Sequence, residues 1–237
     1  MSITRKTVNE IDNLAAARQQ VESQSVKSQI TANTIIRGAG LAAMGSGILF
    51  IGVQAIHPPD ALASVTTGQW AIVHYLSVVM DLLGIVGIAG LYARQVEKAG
   101  WLGLAGAALF TLFWAITSAF HLVEALILPL LATASPTFVE SWLSMVGGHA
   151  AEMDLGLLPA ANSINGLFYM FGGLLFGIAT FRTRVLPRGA AGLLAFGIVL
   201  PLIGSSLVPH PYDRMFAIPV GLALAWLGYA LWQGKSK

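Results

Sequence analysis

The chain has 237 residues, of which 56% are hydrophobic and only 10% are charged. Soluble domains carry about 25% charged residues, so this composition excludes a soluble globular protein and also a disordered one. The absence of cysteine excludes disulfides, thiolate metal sites and covalently attached c-type haem. The net charge of +2 does not indicate a nucleic-acid partner, because the basic residues do not cluster on a soluble face.

Six apolar runs are long enough to cross a bilayer, which takes about 20 residues. The third continues past Pro129, and we expect it to tilt or to break at that proline. An amphipathic or re-entrant segment at the membrane surface is predicted after it, at 135–153. The six predicted spans are 34–56, 69–92, 101–128, 155–181, 189–208 and 215–232.

The predicted fold class is therefore an all-α integral membrane protein with a six-helix bundle. This transmembrane domain covers 34–233, between a polar N-terminal segment at 1–33 and a short tail at 234–237. Twelve of the thirteen Lys and Arg residues fall on one side of such a bundle, and only Arg214 falls on the other. Since short loops rich in Lys and Arg stay in the cytoplasm, both termini are predicted to be cytoplasmic, in a plasma (inner) membrane protein.

All five histidines map to the opposite, extracytoplasmic side. Spans one, three and five each begin with a basic residue and a glycine-rich half and reach a histidine 20 to 23 residues later, at His57, His121 and His210. This pattern suggests three pseudo-repeated helical hairpins, although positive-inside bias and abundant glycine produce similar likenesses. The glycines indicate close helix packing. Trp70, Trp142 and Trp232 are interpreted as an aromatic belt at the interfaces.

Four ionisable residues stand out within the spans, and such residues usually face the bundle interior beside a partner. His74 and Asp81 share one face of span two, and His121 and Glu124 share one face of span three. At 1.5 Å per residue from the cytoplasmic ends, His57, His74 and His121 lie at about 27 to 31 Å and Asp81 lies at about 16 Å. The sequence thus predicts a polar vestibule that narrows toward Asp81.

The leading hypothesis is an extracytoplasmic site for a metal ion or a haem, used in redox or hydrolytic chemistry. Imidazole and carboxylate ligands suit zinc, copper or iron, and His74 with His121 would be the axial ligands of a haem. Glu124 would be a ligand or general base, and Asp81 a proton acceptor. The predicted metal ligands are His57, His74, His121, Glu124 and His210.

Two alternatives stay open. One is a proton-coupled small-molecule carrier in which Asp81 titrates, although the cytoplasmic halves of the spans hold almost no polar residues to complete a path. The other is an accessory subunit whose polar residues only pair with one another, His74 with Asp81 and His121 with Glu124. The expected partners are the lipid bilayer and either a second copy of the chain or a larger membrane complex, with no nucleic acid.

Overall fold

The computed structural model describes residues 16–18, 31–204, 207–208 and 212–234. The chain divides into two units, Met1–Ile35 and Ile36–Lys237. In the first unit, Thr31 caps the start of a long helix, because the backbone N–H of Thr34 donates to Oγ1 of Thr31 over 3.2 Å. Such a side-chain acceptor satisfies one of the free N–H groups at a helix start.

The described residues form helices and no strand. A π-helical turn, Val123–Ile127, joins α4 to α5, and a 3-10 turn, Tyr212–Phe216, precedes α9. The helices are α1 Ala32–Ile56, α2 Leu62–Val65, α3 Gly68–Ala93, α4 Val96–Leu122, α5 Leu128–Ala134, α6 Pro136–Val146, α7 Leu158–Thr183, α8 Arg188–Gly204 and α9 Ala217–Gln233. Helix α4 packs along α3 and α7, and α8 packs between α7 and α9.

Five helical stretches of the described chain are long and apolar enough to cross a membrane. Their surfaces carry large apolar side chains such as Leu82, Leu104 and Leu222, which are 40% to 53% exposed. Such exposure suits lipid rather than water, so the chain is a helical membrane protein. A further apolar helix, α8, has only 17 residues. The five stretches are Ala32–Ile56, Gly68–Ala93, Val96–Ala134, Leu158–Thr183 and Tyr212–Gln233.

The predicted third span continues through Pro129 to Ala134 without a break at that proline. Its helix is interrupted instead at Gly100, which has a φ of 57°. The π-turn lies just before Pro129, and the N–H of Leu128 bonds to the carbonyl of Val123. Since proline has no N–H to donate, the wider turn adjusts the hydrogen-bond register next to the missing donor. From Trp101 to Ala134 the segment is about 51 Å long at 1.5 Å per residue, whereas a hydrocarbon core is about 30 Å thick, so the segment must tilt or extend beyond it.

Small residues bring α1 into backbone contact with α3 and α9. A Cβ added to Gly40 would lie 2.6 Å from the backbone nitrogen of Trp232, and one added to Gly87 would lie 2.7 Å from Cα of Ala43. A Cβ added to Gly47 would overlap the carbonyl oxygen of Gly221. The glycines predicted to pack helices therefore do so, as is common in membranes.

A second, smaller core lies at the end of the bundle that contains His57, which we call the histidine end. It joins α2, α5 and α6 through Val65, Leu128 and Val139, which are buried together with Trp70 and Trp142. Helix α6 is the helix predicted within 135–153, and one of its faces is buried. This helix brings Trp142 to the acidic residue of the π-turn.

Candidate functional site

Two histidine–carboxylate pairs join α3 to α4 and the π-turn. Nδ1 of His121 lies 2.7 Å from Oδ2 of Asp81, and Nε2 of His74 lies 3.3 Å from Oε2 of Glu124. His74 is 2% exposed, Asp81 0% and Glu124 7%. The pairs are crossed relative to the pairing suggested by the sequence, because each histidine contacts the carboxylate of the other segment.

The contact with His121 corrects the predicted depth of Asp81, which was placed about 15 Å below that histidine on the basis of helix rise alone. Side chains on a helix lean toward its N-terminus. Helices α3 and α4 run in opposite directions, so the carboxyl group of Asp81 and the ring of His121 lean toward each other. The long α4 segment also rises less per residue if it tilts. The two residues are therefore neighbours within one site.

His74 is held by a backbone hydrogen bond on one side and faces Glu124 on the other. Nδ1 of His74 lies 2.8 Å from the carbonyl oxygen of Trp70. Because a carbonyl oxygen only accepts hydrogen bonds, Nδ1 carries a hydrogen. Nε2 is then the nitrogen that faces the carboxyl group of Glu124, over 3.3 Å.

Two tryptophans fix this pair in place. Nε1 of Trp70 donates to the backbone carbonyl of Glu124 over 2.8 Å, and Nε1 of Trp142 donates to its Oε1 over 3.2 Å. The rings of Trp70 and His74 also pack together with centroids 4.0 Å apart. The tryptophans are 1% and 3% exposed, so the prediction that Trp70 and Trp142 form an interfacial belt is wrong. Their indole N–H groups have partners in the protein interior.

His121 lines a cavity of about 220 Å³, which we call the small cavity, whereas its partner Asp81 lies behind it. Among the described residues, no hydrogen bond is formed to Nε2 of His121, and Oδ1 of Asp81 is buried without a donor. Asn165 donates to Oγ1 of Thr117 over 2.8 Å in the cavity wall. The other polar groups lining the cavity are Gln54, His57, Ser77 and Arg214, and its apolar walls are Phe50, Val53, Met80, Phe113 and Trp114.

A larger cavity of about 920 Å³, the large cavity, lies at the histidine end and shares His57 and Arg214 with the small one. Nη2 of Arg214 lies 2.7 Å from Oδ2 of Asp60, and Nη1 donates to the carbonyl of His57 over 3.4 Å. Arg214 thus holds the loop after α1 at the junction of the two cavities. The other ionisable residues that line the large cavity are Glu140, His149 and Asp213.

His57 begins a row of three imidazoles. Its ring centroid lies 5.3 Å from that of His74, which lies 6.1 Å from that of His121. Burial lowers the pKa of the His57 imidazole, only partly offset by the Nδ1–H bond of 2.7 Å to the carbonyl of Pro58. His57 is therefore neutral at pH 7, with Nε2 free of a proton.

The predicted ligands His57, His74, His121 and Glu124 lie in one region, while His210 lies outside the described residues. Within the described ranges, no group of three or more His, Asp or Glu side chains is placed to hold a metal ion. Both nitrogens of His74 have partners, so a metal or haem at that residue requires its contact with Glu124 to open. The metal and haem hypotheses stay predictions.

Sequence reasoning did not select Gln54 or Arg214 as site residues. Each carried a signal, since Gln54 is a lone polar residue near the end of an apolar run and Arg214 is the one basic residue on its predicted side of the membrane.

No protein-family model matches this chain, and no curated protein or solved structure was found to be similar to it.

Proposed function

We propose that this chain is a polytopic membrane protein in which His121 and Asp81 exchange a proton with a small molecule that enters from the extracytoplasmic side. The observation that carries the proposal is the position of the pair at the wall of the small cavity, which adjoins the large cavity at His57 and Arg214. An imidazole with one nitrogen bonded to a carboxylate and the other open is the arrangement of a general base.

The charges of the pair support this role. Asp81 accepts from Nδ1–H, so the neutral ring presents the lone pair of Nε2 for a proton. When Nε2 takes a proton, the imidazolium lies 2.7 Å from a carboxylate oxygen that stabilises its charge. Oδ1 of Asp81, buried without a donor among the described residues, can accept a further proton.

Access is proposed from one side only. In the half of the bundle opposite the histidine end, α1 lies in close backbone contact with α9 at Gly40 and Trp232 and with α3 at Ala43 and Gly87. Helices in direct backbone contact leave no space for a polar path. This packing favours binding and proton exchange at the extracytoplasmic face. Transport through the bundle, as in the carrier hypothesis, would require these helices to separate.

The proposed topology has six spans with both termini in the cytoplasm of a cell bounded by a plasma (inner) membrane. Helix α8 would be the remaining span, since 17 residues rise about 25 Å and the helix lies beside α7 and α9. The chain has no native cysteine, so single-cysteine variants report on topology directly. Arg182→Cys and Tyr212→Cys should react with an impermeant thiol reagent from opposite sides, and labelling of both from one side would contradict the sixth span.

Nitrogen NMR of ¹⁵N-histidine-labelled protein in nanodiscs tests the acid–base role, because five histidines give few signals. His121 should show one fixed tautomer with hydrogen on Nδ1, and lowering the pH should protonate its Nε2. In Asp81→Ala the tautomer should no longer be fixed. An Nε2 that never titrates, or a tautomer unchanged in the variant, would contradict the proposal.

Metal binding is the second candidate. Metal-ligating histidines commonly donate their other N–H to a carboxylate, as His121 does to Asp81, and His57 lines the same cavity. Metal analysis and an absorption spectrum of natively extracted protein test this candidate. A stoichiometric metal, or a haem Soret band, that is lost in His121→Ala would support it, and neither signal in the native protein would count against it.

Assembly with a second copy or a larger complex is also proposed, since the accessory-subunit hypothesis requires it. The exposed apolar surfaces of the bundle suit contact with lipid or with another membrane helix. Co-purification with a defined set of membrane proteins after mild extraction would favour an accessory subunit, whereas a homogeneous monomer with a titrating His121 would favour an independent function.

A further inference from the structure

We infer that the small cavity binds a small organic acid in its protonated, neutral form and holds it as a carboxylate after the proton passes to Nε2 of His121. This inference rests on the proposed function, because it uses the same pair of His121 and Asp81. It adds the chemical class of the ligand, which follows from the size of the cavity, its walls and the charges around it.

The size and walls favour a compact molecule with one apolar part. The small cavity has about 220 Å³, which is room for about seven water molecules and lies below the usual range of drug-sized pockets, about 300 to 1,000 Å³. Among its lining residues, Phe50 and Phe113 pack against Trp114 with ring centroids 5.7 and 5.1 Å apart, and polar groups also line the cavity. A single ring or a short aliphatic chain that carries one polar group matches a lining of both kinds.

The charges of the lining favour a carboxylate as that polar group. Arg214 brings to the cavity wall a guanidinium whose Nη2 is paired with Asp60 over 2.7 Å, and no Asp or Glu is among the described residues that line the small cavity. Oγ1 of Thr117 accepts from Asn165, which leaves the O–H of Thr117 as a donor. Guanidinium, hydroxyl and a protonated His121 are together the donor set that recognises a carboxylate.

The large cavity favours entry of the neutral acid. Among the described residues that line it, Asp60, Glu140 and Asp213 carry carboxylates and Arg214, which is paired with Asp60, carries a guanidinium. A carboxylate anion passing these residues would be repelled, whereas the uncharged acid would not. The ligand therefore brings its own proton to the small cavity.

The proton transfer balances without another reactant. The O–H bond of the acid breaks, an N–H bond forms at Nε2 of His121, and Asp81 keeps its bond from Nδ1. The product is a carboxylate beside an imidazolium, so the net charge of the site does not change. The ionisable groups that face His121 are Asp81 and His74 from α3, Glu124 from the π-turn, and His57 and Arg214 across the small cavity.

Calorimetry with benzoate tests the inference on the full-length chain in nanodiscs. Titrations in two buffers of different ionisation enthalpy should show about one proton taken up per benzoate bound. By linkage, the affinity should rise by up to about tenfold for each pH unit from pH 8 to pH 6. Benzamide, which has the same shape without an ionisable carboxyl group, should bind at least tenfold more weakly.

Two variants separate the role of Arg214 in binding the carboxylate from the role of His121 in taking up the proton. Arg214→Gln should weaken benzoate binding at least tenfold and leave the proton uptake intact, while the matched control Arg94→Gln, at the far end of the bundle, should change neither. His121→Gln should abolish the proton uptake. If that variant does not fold, the proton uptake of the native protein decides.

Binding of benzoate without proton uptake, or equal binding of benzamide, would overturn the organic-acid inference. Failure of benzoate to bind, in a protein whose His121 titrates and whose small cavity is reached from the extracytoplasmic side, would overturn this inference alone. A His121 that does not titrate would overturn the proposed function with it.

Discussion

His121 and Asp81 are hydrogen-bonded across two antiparallel helices, with Nδ1 of the histidine 2.7 Å from Oδ2 of the aspartate. A second contact between a histidine and a carboxylate joins His74 to Glu124 over 3.3 Å. Each of these four residues lies on a helical face with a residue of the other pair, so the crossed arrangement ties α3 to the α4 segment at two points. The two pairs also differ in their surroundings, since His121 lines the small cavity and His74 does not.

A double-mutant cycle checks the crossed pairing. Asp81→Ala and His121→Ala should be non-additive, with an interaction free energy of about 1 to 3 kcal/mol, because removing one partner leaves the other buried group unpaired. Unfolding by sodium dodecyl sulfate measures this for helical membrane proteins. The cycle of Asp81→Ala with His74→Ala is the control and should be closer to additive. A larger coupling in that control would contradict the structure.

Trp142→Phe tests the hydrogen bond by which helix α6 contacts Glu124. The change keeps an aromatic ring but removes the N–H that donates to Oε1 and part of the buried indole volume, so it should reduce the free energy of unfolding by about 1 to 3 kcal/mol. Trp101→Phe is the matched control, because Trp101 is 85% exposed, and its effect should stay within about 0.5 kcal/mol. Equal effects of the two changes would argue against the bond to Glu124.

The backbone contacts of the glycines can be tested with alanine. Gly47→Ala should destabilise the fold by about 1 to 3 kcal/mol, the usual cost of overpacking, because the new Cβ would overlap the carbonyl of Gly221. Gly52→Ala is the control in the same helix, since nothing lies within 4 Å of its added Cβ. Thermal unfolding in detergent compares the two, and a Gly47→Ala protein as stable as Gly52→Ala would show that α1 and α9 are not in direct contact.

The pH dependence of stability should carry a contribution from His57. Burial lowers its pKa in the folded protein, while the unfolded chain has the ordinary value of about 6.5. Below pH 6.5 the unfolded state therefore binds more protons, and the fold loses stability as the pH falls. His57→Gln should reduce this loss between pH 7 and pH 5, measured by thermal unfolding. Identical slopes in the wild-type and His57→Gln proteins would contradict the burial of His57.

The sequence predicted the positions of the apolar helices well because each is set by a local run of residues. The predicted span 34–56 corresponds to the helix Ala32–Ile56, and the predicted span 69–92 corresponds to the helix Gly68–Ala93. The π-turn before Pro129 was not predictable, because it depends on how the long segment accommodates the proline while Glu124 meets His74. The six-span count and the three-hairpin repeat stay predictions, and His210 lies outside the described residues.

The sequence singled out four residues that lie together in the structure, but it did not predict which of them contact each other. Ionisable residues in apolar runs identified His74, Asp81, His121 and Glu124, since burial of such groups is costly. Depth counted along straight helices misplaced Asp81, because it ignored helix tilt and the opposite lean of side chains on antiparallel helices. Trp142 was assigned to the interface because nothing local shows that α6 folds back over the bundle.

Labelling of Thr117→Cys from the extracytoplasmic side tests the central claim most directly. Thr117 lines the small cavity, and the chain has no native cysteine to interfere. A small impermeant methanethiosulfonate should modify Thr117→Cys in intact cells. It should leave Ser46→Cys, at a fully buried position, unmodified and should reach Arg94→Cys only after the membrane is opened. A Thr117→Cys that reacts only after the membrane is opened, or not at all, would contradict a proton-exchanging site open to the extracytoplasmic side.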